Sequence, residues 1–174
     1  MIMNSKNSIQ NSMLILLVVT GLIVASCGYR MIGSKFLPFG SITIPQVRNT
    51  TYEPLLEESL HFALSSEFIN QGIKVLPSGG DAELKINVTE FKLDPIGVVD
   101  EKVQEQELRV LLDAELKDEK ETVKFMSVTS PISITFQTSG TVGESIVNKE
   151  RAIDRAAREI AKEIVSRIMT RYAE

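Results

Sequence analysis

Apolar residues in this chain follow three patterns: one unbroken run, several stretches of period two, and two stretches with helical spacing. The unbroken run is Leu14 to Cys27, too short to span a bilayer comfortably, since a spanning helix needs about 20 apolar residues. Period two begins at Ser41-Ile42-Thr43-Ile44-Pro45-Gln46-Val47, which reads as a first strand with Pro45 at an edge or at its end. Helical spacing follows, with Leu56, Leu60, Leu64 and Phe68 on one stripe that Phe62 and Ile69 widen. Thr50 with Glu53 three residues on fits a capping box, Pro54 suits a first turn, and Gly72 ends the helix.

Ile73 to Leu76 reads as a short strand and Pro77 to Asp81 as a turn. Ala82, Leu84, Ile86 and Val88 then alternate with polar residues, as in a half-buried strand. Phe91 and Leu93 fall on the opposite parity, which predicts a β-bulge near Thr89-Glu90, and Asp94-Pro95-Ile96-Gly97 reads as the strand's end. Asp100 to Glu107 is charged, a loop or the exposed start of a long strand. Leu108 to Leu116 alternates cleanly, Lys117 to Glu121 is a turn, and Thr122 to Val128 is another strand. Ile132, Ile134 and Phe136 alternate once more, as a further strand or an ordered loop. The last pattern is a long helix, Asn148 to Tyr172, with an apolar face through Ile153, Ile160, Ile164 and Ile168 and charge pairs Asp154–Arg158 and Glu163–Arg167. The order β-α-β-β-β(-β)-α predicts an α+β fold, with two helices on one face of a mainly antiparallel sheet of four to five strands.

The ends of the apolar run give it a further meaning. Its leader holds Lys6 and no acidic residue, and it finishes in small residues before the only cysteine, as a secretory signal does. Val24-Ala25-Ser26-Cys27 resembles the lipobox of bacterial lipoproteins. That resemblance implies a signal peptide over 1–26, cleavage before Cys27 and covalent lipid on Cys27, whose thiol is a suitable nucleophile for it. Gly28 rather than Asp after the cysteine implies the outer membrane. Residues 27–40 then read as a lipidated tether and 41–174 as a single domain. The tether's apolar residues pack on the domain or sit near the membrane surface.

Charge narrows the function. The 174 residues carry a formal net charge of −4, and loss of residues 1–26 makes it −5, which excludes a general nucleic-acid binder. Acylation of Cys27 leaves no thiol for a disulfide or for Cys/His catalysis. His61, the only histidine, lies inside the first helix; no metal-ligand spacing, Walker loop or GxGxxG occurs. The chain reads as non-enzymatic and without cofactor.

Cys27-Gly28-Tyr29-Arg30-Met31-Ile32-Gly33, followed by a strand and then by Asn49-Thr50-Thr51-Tyr52-Glu53-Pro54-Leu55-Leu56-Glu57, resembles the lipopolysaccharide-assembly lipoprotein family LptE. The resemblance continues through Asp81-Ala82-Glu83-Leu84, the strand Leu108 to Ala114 and the terminal helix. It implies a lipid-anchored outer-membrane protein on the periplasmic side. Such a protein partners and plugs the β-barrel LptD, assists its assembly and helps deliver lipopolysaccharide to the outer leaflet. The strand and helix pattern also resembles CsgG-like secretion components and LpoB-like activators of cell-wall synthesis, which stay open as an alternative.

If lipopolysaccharide is the ligand, an acidic domain must concentrate its basic groups locally. Alternation turns Lys85 and Arg109 away from the core, and Lys124 joins them when Val123 and Phe125 face inward, making these three the candidate lipopolysaccharide contacts. The same face carries Glu83, Asn87, Glu107, Asp113 and Glu115, with Leu111 its one large apolar residue. Such a surface suits the wet lumen of a large barrel better than lipid.

Overall fold

The computed structural model describes residues 37–99 and 102–173. The apolar run, Cys27 and most of the tether lie outside them. In order, the elements are β1 (Ser41–Thr43), β2 (Arg48–Asn49), α1 (Leu56–Asn70), β3 (Lys74–Leu76), β4 (Ala82–Val99), β5 (Lys102–Lys117), β6 (Thr122–Val128), β7 (Ile134–Gln137) and α2 (Val142–Ala173). The α+β class and the two helices stand as expected. The sheet differs from the expectation: among the described residues it has seven strands, and it is mixed. Its path runs β3-β1-β4-β5-β6, with β2 on β4 and β7 on β5. β1 is parallel to both β3 and β4, and β2 is parallel to β4. Alternation reports which face a residue takes, not strand direction; α1 carries the chain back so that β3 runs alongside β1.

Leu37 and Phe39, the last apolar residues of the expected tether, are buried in the core. Backbone hydrogen bonds hold the chain there. Gly40 and Ser41 amides donate to Asp81 Oδ2, each at 3.0 Å, and Lys74 N donates to Gly40 O at 3.0 Å. β3 and β4 both run parallel to β1, which lies between them, so the turn Pro77–Asp81 crosses β1 to connect them. Gly80 makes that crossing possible. A Cβ there would lie 2.7 Å from both Ile42 C and Thr43 N.

The bulge falls where the alternation slips: Val88 pairs Leu112 and Glu90 pairs Leu111, leaving Thr89 out of register. Phe91 and Leu93 thereby keep their packing against the core. Asp94-Pro95-Ile96-Gly97 does not end the strand. β4 runs on to Val99 through two irregularities, one at Pro95/Gly97 and one at Gly97/Val98. Proline is tolerated because, among the described residues, no strand pairs the outer edge of β4 beyond Val88, so no ladder donor is missing there. From Lys102 on, the charged stretch is the start of β5, exposed at Lys102 and Val103 and half-buried beyond, and Ile134 to Gln137 is a true strand.

The helices depart from expectation at their N-termini. Thr50 does not cap α1; its hydroxyl donates to Val88 O at 2.6 Å, and Leu55 precedes the helix in the left-handed region (φ 63°) with no side-chain cap. Asn49 orders the entry instead, donating to Glu53 O and Glu57 Oε2 while its Oδ1 accepts from Thr51. At the other end the expectation holds. Gly72 (φ 81°) follows the C-cap Gln71, with Ile73 N bonded to Phe68 O and Gly72 N to Ile69 O, a Schellman closure. α2 begins six residues earlier than its apolar stripe indicates, because Thr141 and Glu144 form a capping box. Thr141 N donates to Glu144 Oε2 at 2.8 Å, and Glu144 N donates back to Thr141 Oγ1 at 3.3 Å.

The core is one cluster. Leu56, Leu60, Leu64 and Phe68 of α1 and Ile153, Ile160, Ile164 and Ile168 of α2 meet Leu84, Ile86, Val88, Leu112 and Leu116 of the sheet. Each such side chain contributes about 1.5–3 kcal/mol by leaving water. Phe62 and Ile69 do not widen the buried stripe. They are 74% and 60% exposed, because they share with Leu55 a seven-residue spacing on the outer side of α1. Glu163–Arg167 forms at 2.6 Å, whereas Asp154 accepts from Ser59 Oγ of α1 and does not pair with Arg158. At its end α2 is tied to the β5–β6 turn. Tyr172 OH donates to Asp118 Oδ2 at 2.7 Å while its ring meets Phe39 edge-on. Burial, and then that bond, raise the phenol's pKa above its ordinary range.

Gly80→Ala is expected to destabilise the domain by about 1–3 kcal/mol, since the clash is with backbone that cannot rotate away. Gly143→Ala, in the first turn of α2 with nothing within 4 Å of its new methyl, is expected to be neutral or stabilising by up to about 1 kcal/mol. Paired urea melts check both; equal midpoints for the two variants would contradict the tight crossing.

Candidate functional site

With both helices on one face, the polar residues of the strands line the other. Strand register arranges them in rows. Lys85 of β4 lies opposite Glu115 of β5, which lies opposite Lys124 of β6. In the neighbouring row Arg48 of β2 lies opposite Asn87, and Asn87 opposite Asp113. The two rows line a concavity of about 550 Å³ together with Pro45 and Met126.

This arrangement brings Lys85 and Lys124 together and leaves Arg109 apart. Arg109 sits opposite Lys92, six residues along β5 from Glu115, or about 20 Å at strand rise. The sequence reading missed Arg48, because only the parallel pairing of β2 with β4 places it beside Asn87. Lys124 does face outward as required, with Val123 and Phe125 half-buried on the other side.

Every candidate cation has an acidic neighbour: Lys85 with Glu83 at 3.7 Å, Lys124 with Glu115 at 3.0 Å, and Arg109 with Glu107 at 3.7 Å. These pairs are exposed, and such pairs contribute roughly 0–1 kcal/mol each, so they are easily exchanged for another anion. The hydrogen bond from Lys124, then its charge, and more weakly the charges of Lys85 and Lys117, hold the Glu115 carboxyl below its ordinary range. Asn87 Oδ1 is buried without a hydrogen-bond partner among the described residues. Beside it, Asp113 Oδ1 accepts from Ser127 N at 2.9 Å and steadies Ser127 in the left-handed region (φ 51°). The face thus offers exchangeable cations around a central carboxylate and an unused acceptor, suited to binding polar groups. Among the described residues no group of three or more His, Cys, Asp or Glu side chains is placed to hold a metal ion, and His61 is exposed on α1.

Solved structures share this architecture. Rare lipoprotein B from Shewanella oneidensis superposes with a TM-score of 0.54 at 13% identity, covering 76% of this chain and 96% of that one. A protein described as a lipoprotein from Caulobacter crescentus gives 0.50 at 20% identity, covering 74% and 91%. At these identities the likeness shows the fold alone. No curated protein matches the chain by sequence. The class is therefore a two-helix, mixed-sheet α+β domain of a kind found in bacterial lipoproteins. Within that class the sequence model of the family LptE, lipopolysaccharide-assembly, matches residues 39–168, and the chain belongs to that family.

A carboxyl-carbon NMR titration tests the electrostatics of the row. Lowering the pKa in the folded state means that Glu115 contributes stability above the ordinary glutamate range, and this contribution is lost as pH falls through the lowered value. Lys124→Ala is expected to shift the Glu115 midpoint upward. An unchanged midpoint would show that Lys124 does not control it.

Proposed function

We propose that this chain is a non-enzymatic outer-membrane lipoprotein that partners and plugs an LptD-type β-barrel. In this reading it assists the barrel's assembly and helps deliver lipopolysaccharide to the outer leaflet. Membership of the family, over residues 39–168, carries the proposal. The open sheet face supports it, because an uncovered polar surface is costly in lipid and at home in a wet barrel lumen. A domain of this size needs a barrel of many strands to hold it. Attachment is through lipid on Cys27, exposed after removal of residues 1–26, on the periplasmic side of the outer membrane.

The experiment is native extraction in mild detergent from cells carrying a tagged copy. The expected outcome is one-to-one recovery with an outer-membrane barrel, a mature chain whose intact mass includes acyl chains, and a lowered level of correctly assembled barrel on depletion. Recovery as a free monomer, with barrel assembly intact after depletion, would overturn the reading.

Lys85, Arg109 and Lys124 remain the proposed lipopolysaccharide contacts, with Lys85 and Lys124 as the pair that shares a concavity. Charge reversal at Lys85 and Arg109 together is expected to weaken lipopolysaccharide binding, by about a hundredfold or more if each lost charge-assisted bond has its usual strength of roughly 1.5–3 kcal/mol. The folded double variant, checked by circular dichroism, would reject these contacts by binding as well as the parent.

A further inference from the structure

On the helix side of the sheet, away from the concavity just described, α2 carries a basic stripe. Arg151, Arg155, Arg158 and Lys162 stand at positions i, i+4, i+7 and i+11, about 16 Å along one flank. Lys162 is paired with Glu159 at 2.9 Å. The three arginines are exposed and have no ion pair among the described residues, in a chain where acids outnumber bases 23 to 19. Like charges four apart repel on a helix, and an acid at either position would remove that cost.

Two of these arginines line a cleft. Arg151 and Arg155 open onto a cavity of about 440 Å³ between α2 and β7, with Thr135 and Gln137 as polar neighbours and Phe136 and Ala152 as apolar lining. A second cavity adjoins it at Gln137, Asn148 and Arg151, beneath the loop that leads into α2. Asn148 Nδ2 donates to Gln137 O at 3.1 Å and fastens the helix to the strand there. The nearby carboxylates are mostly engaged: Glu144 caps the helix, Asp154 accepts from Ser59, and Glu159 holds Lys162. Glu105 lines the cleft and Glu150 is exposed on α2, so the local balance is not wholly positive.

We infer that the α2–β7 cleft binds phosphate-monoester groups through Arg151 and Arg155, with Arg158 extending the site along the helix. Guanidinium forks match phosphate oxygens in a two-bond geometry that lysine cannot provide. The inference deepens the lipopolysaccharide reading by giving a second, chemically distinct place for an anionic headgroup, but its test does not depend on a barrel.

The experiment is calorimetric titration of the full mature protein in neutral detergent with three probes: inorganic phosphate, dihexanoyl phosphatidic acid and dihexanoyl phosphatidylcholine. The expected result is binding of phosphatidic acid, no binding of phosphatidylcholine, and a loss of about tenfold or more in Arg151→Glu/Arg155→Glu. Phosphate binding as tightly as phosphatidic acid identifies a soluble phosphate as the source; tighter phosphatidic acid identifies a lipid headgroup. Arg151→Gln/Arg155→Gln, which removes charge without adding acid, must also weaken binding, while Lys74→Glu/Lys120→Glu, at exposed lysines of β3 and the β5–β6 turn that line neither the cleft nor the open-face concavity, must leave it. Absence of binding, equal binding by both arginine variants, or loss only in the lysine variant would overturn the site. None of these results bears on whether the chain recovers with a barrel.

Discussion

The pairing of β4 with β5 is the interaction on which the rest depends. It runs from Glu83 opposite Lys117 to Val99 opposite Lys102, and every other strand joins it directly or through β1. Its alternation assigns Leu84, Ile86, Val88, Leu108, Val110, Leu112, Ala114 and Leu116 to the helix side, and Thr89 absorbs the one slip that would otherwise turn Phe91 and Leu93 outward. Because both helices lie on that side, the hairpin also determines that the opposite face is polar and open. Fold and candidate site are two sides of one ladder.

Much of this ladder was legible in the sequence, since period two reports burial on one face and its phase slip marks the bulge. Helix stripes were legible for the same reason. Long-range geometry was not. Parallel pairing of β1 and β2 with β4, and the crossing of β1 by the turn at Gly80, leave no local pattern. Neither does the contact that draws the Thr50 hydroxyl to Val88 O and away from a cap. One local signal is present in the sequence: Thr141-Val142-Gly143-Glu144 has capping-box spacing, although Gly140 before it and Gly143 within it are residues that also favour loops. The candidate site was legible in part for the same physical reason. Alternation shows that Lys85, Arg109 and Lys124 share a face, but register decides that Lys85 and Lys124 meet around Glu115 while Arg109 meets Lys92.

The distribution of charge ties the two sides together. On the open face Lys85, Arg109 and Lys124 are balanced by Glu83, Glu107 and Glu115, giving a surface that is polar without being strongly charged. Such a surface is wetted readily. Guanidinium groups without an ion pair among the described residues are Arg48 at the edge of this face and, as a stripe, Arg151, Arg155 and Arg158 on α2. An acidic protein can in this way present a neutral polar wall to one neighbour and a basic stripe to another.

The central claim is that the open sheet face is enclosed by a partner in the cell. The most direct measurement is the rate at which a bulky amine-reactive reagent modifies Lys85 and Lys124, compared between solubilised native complexes and the free purified protein, with mass-spectrometric readout at each lysine. Enclosure predicts modification several-fold slower in the native complexes at both residues, with equal rates restored when the complexes are dissociated. Equal rates in complex and free protein would show that this face stays open to solvent, and would contradict the account.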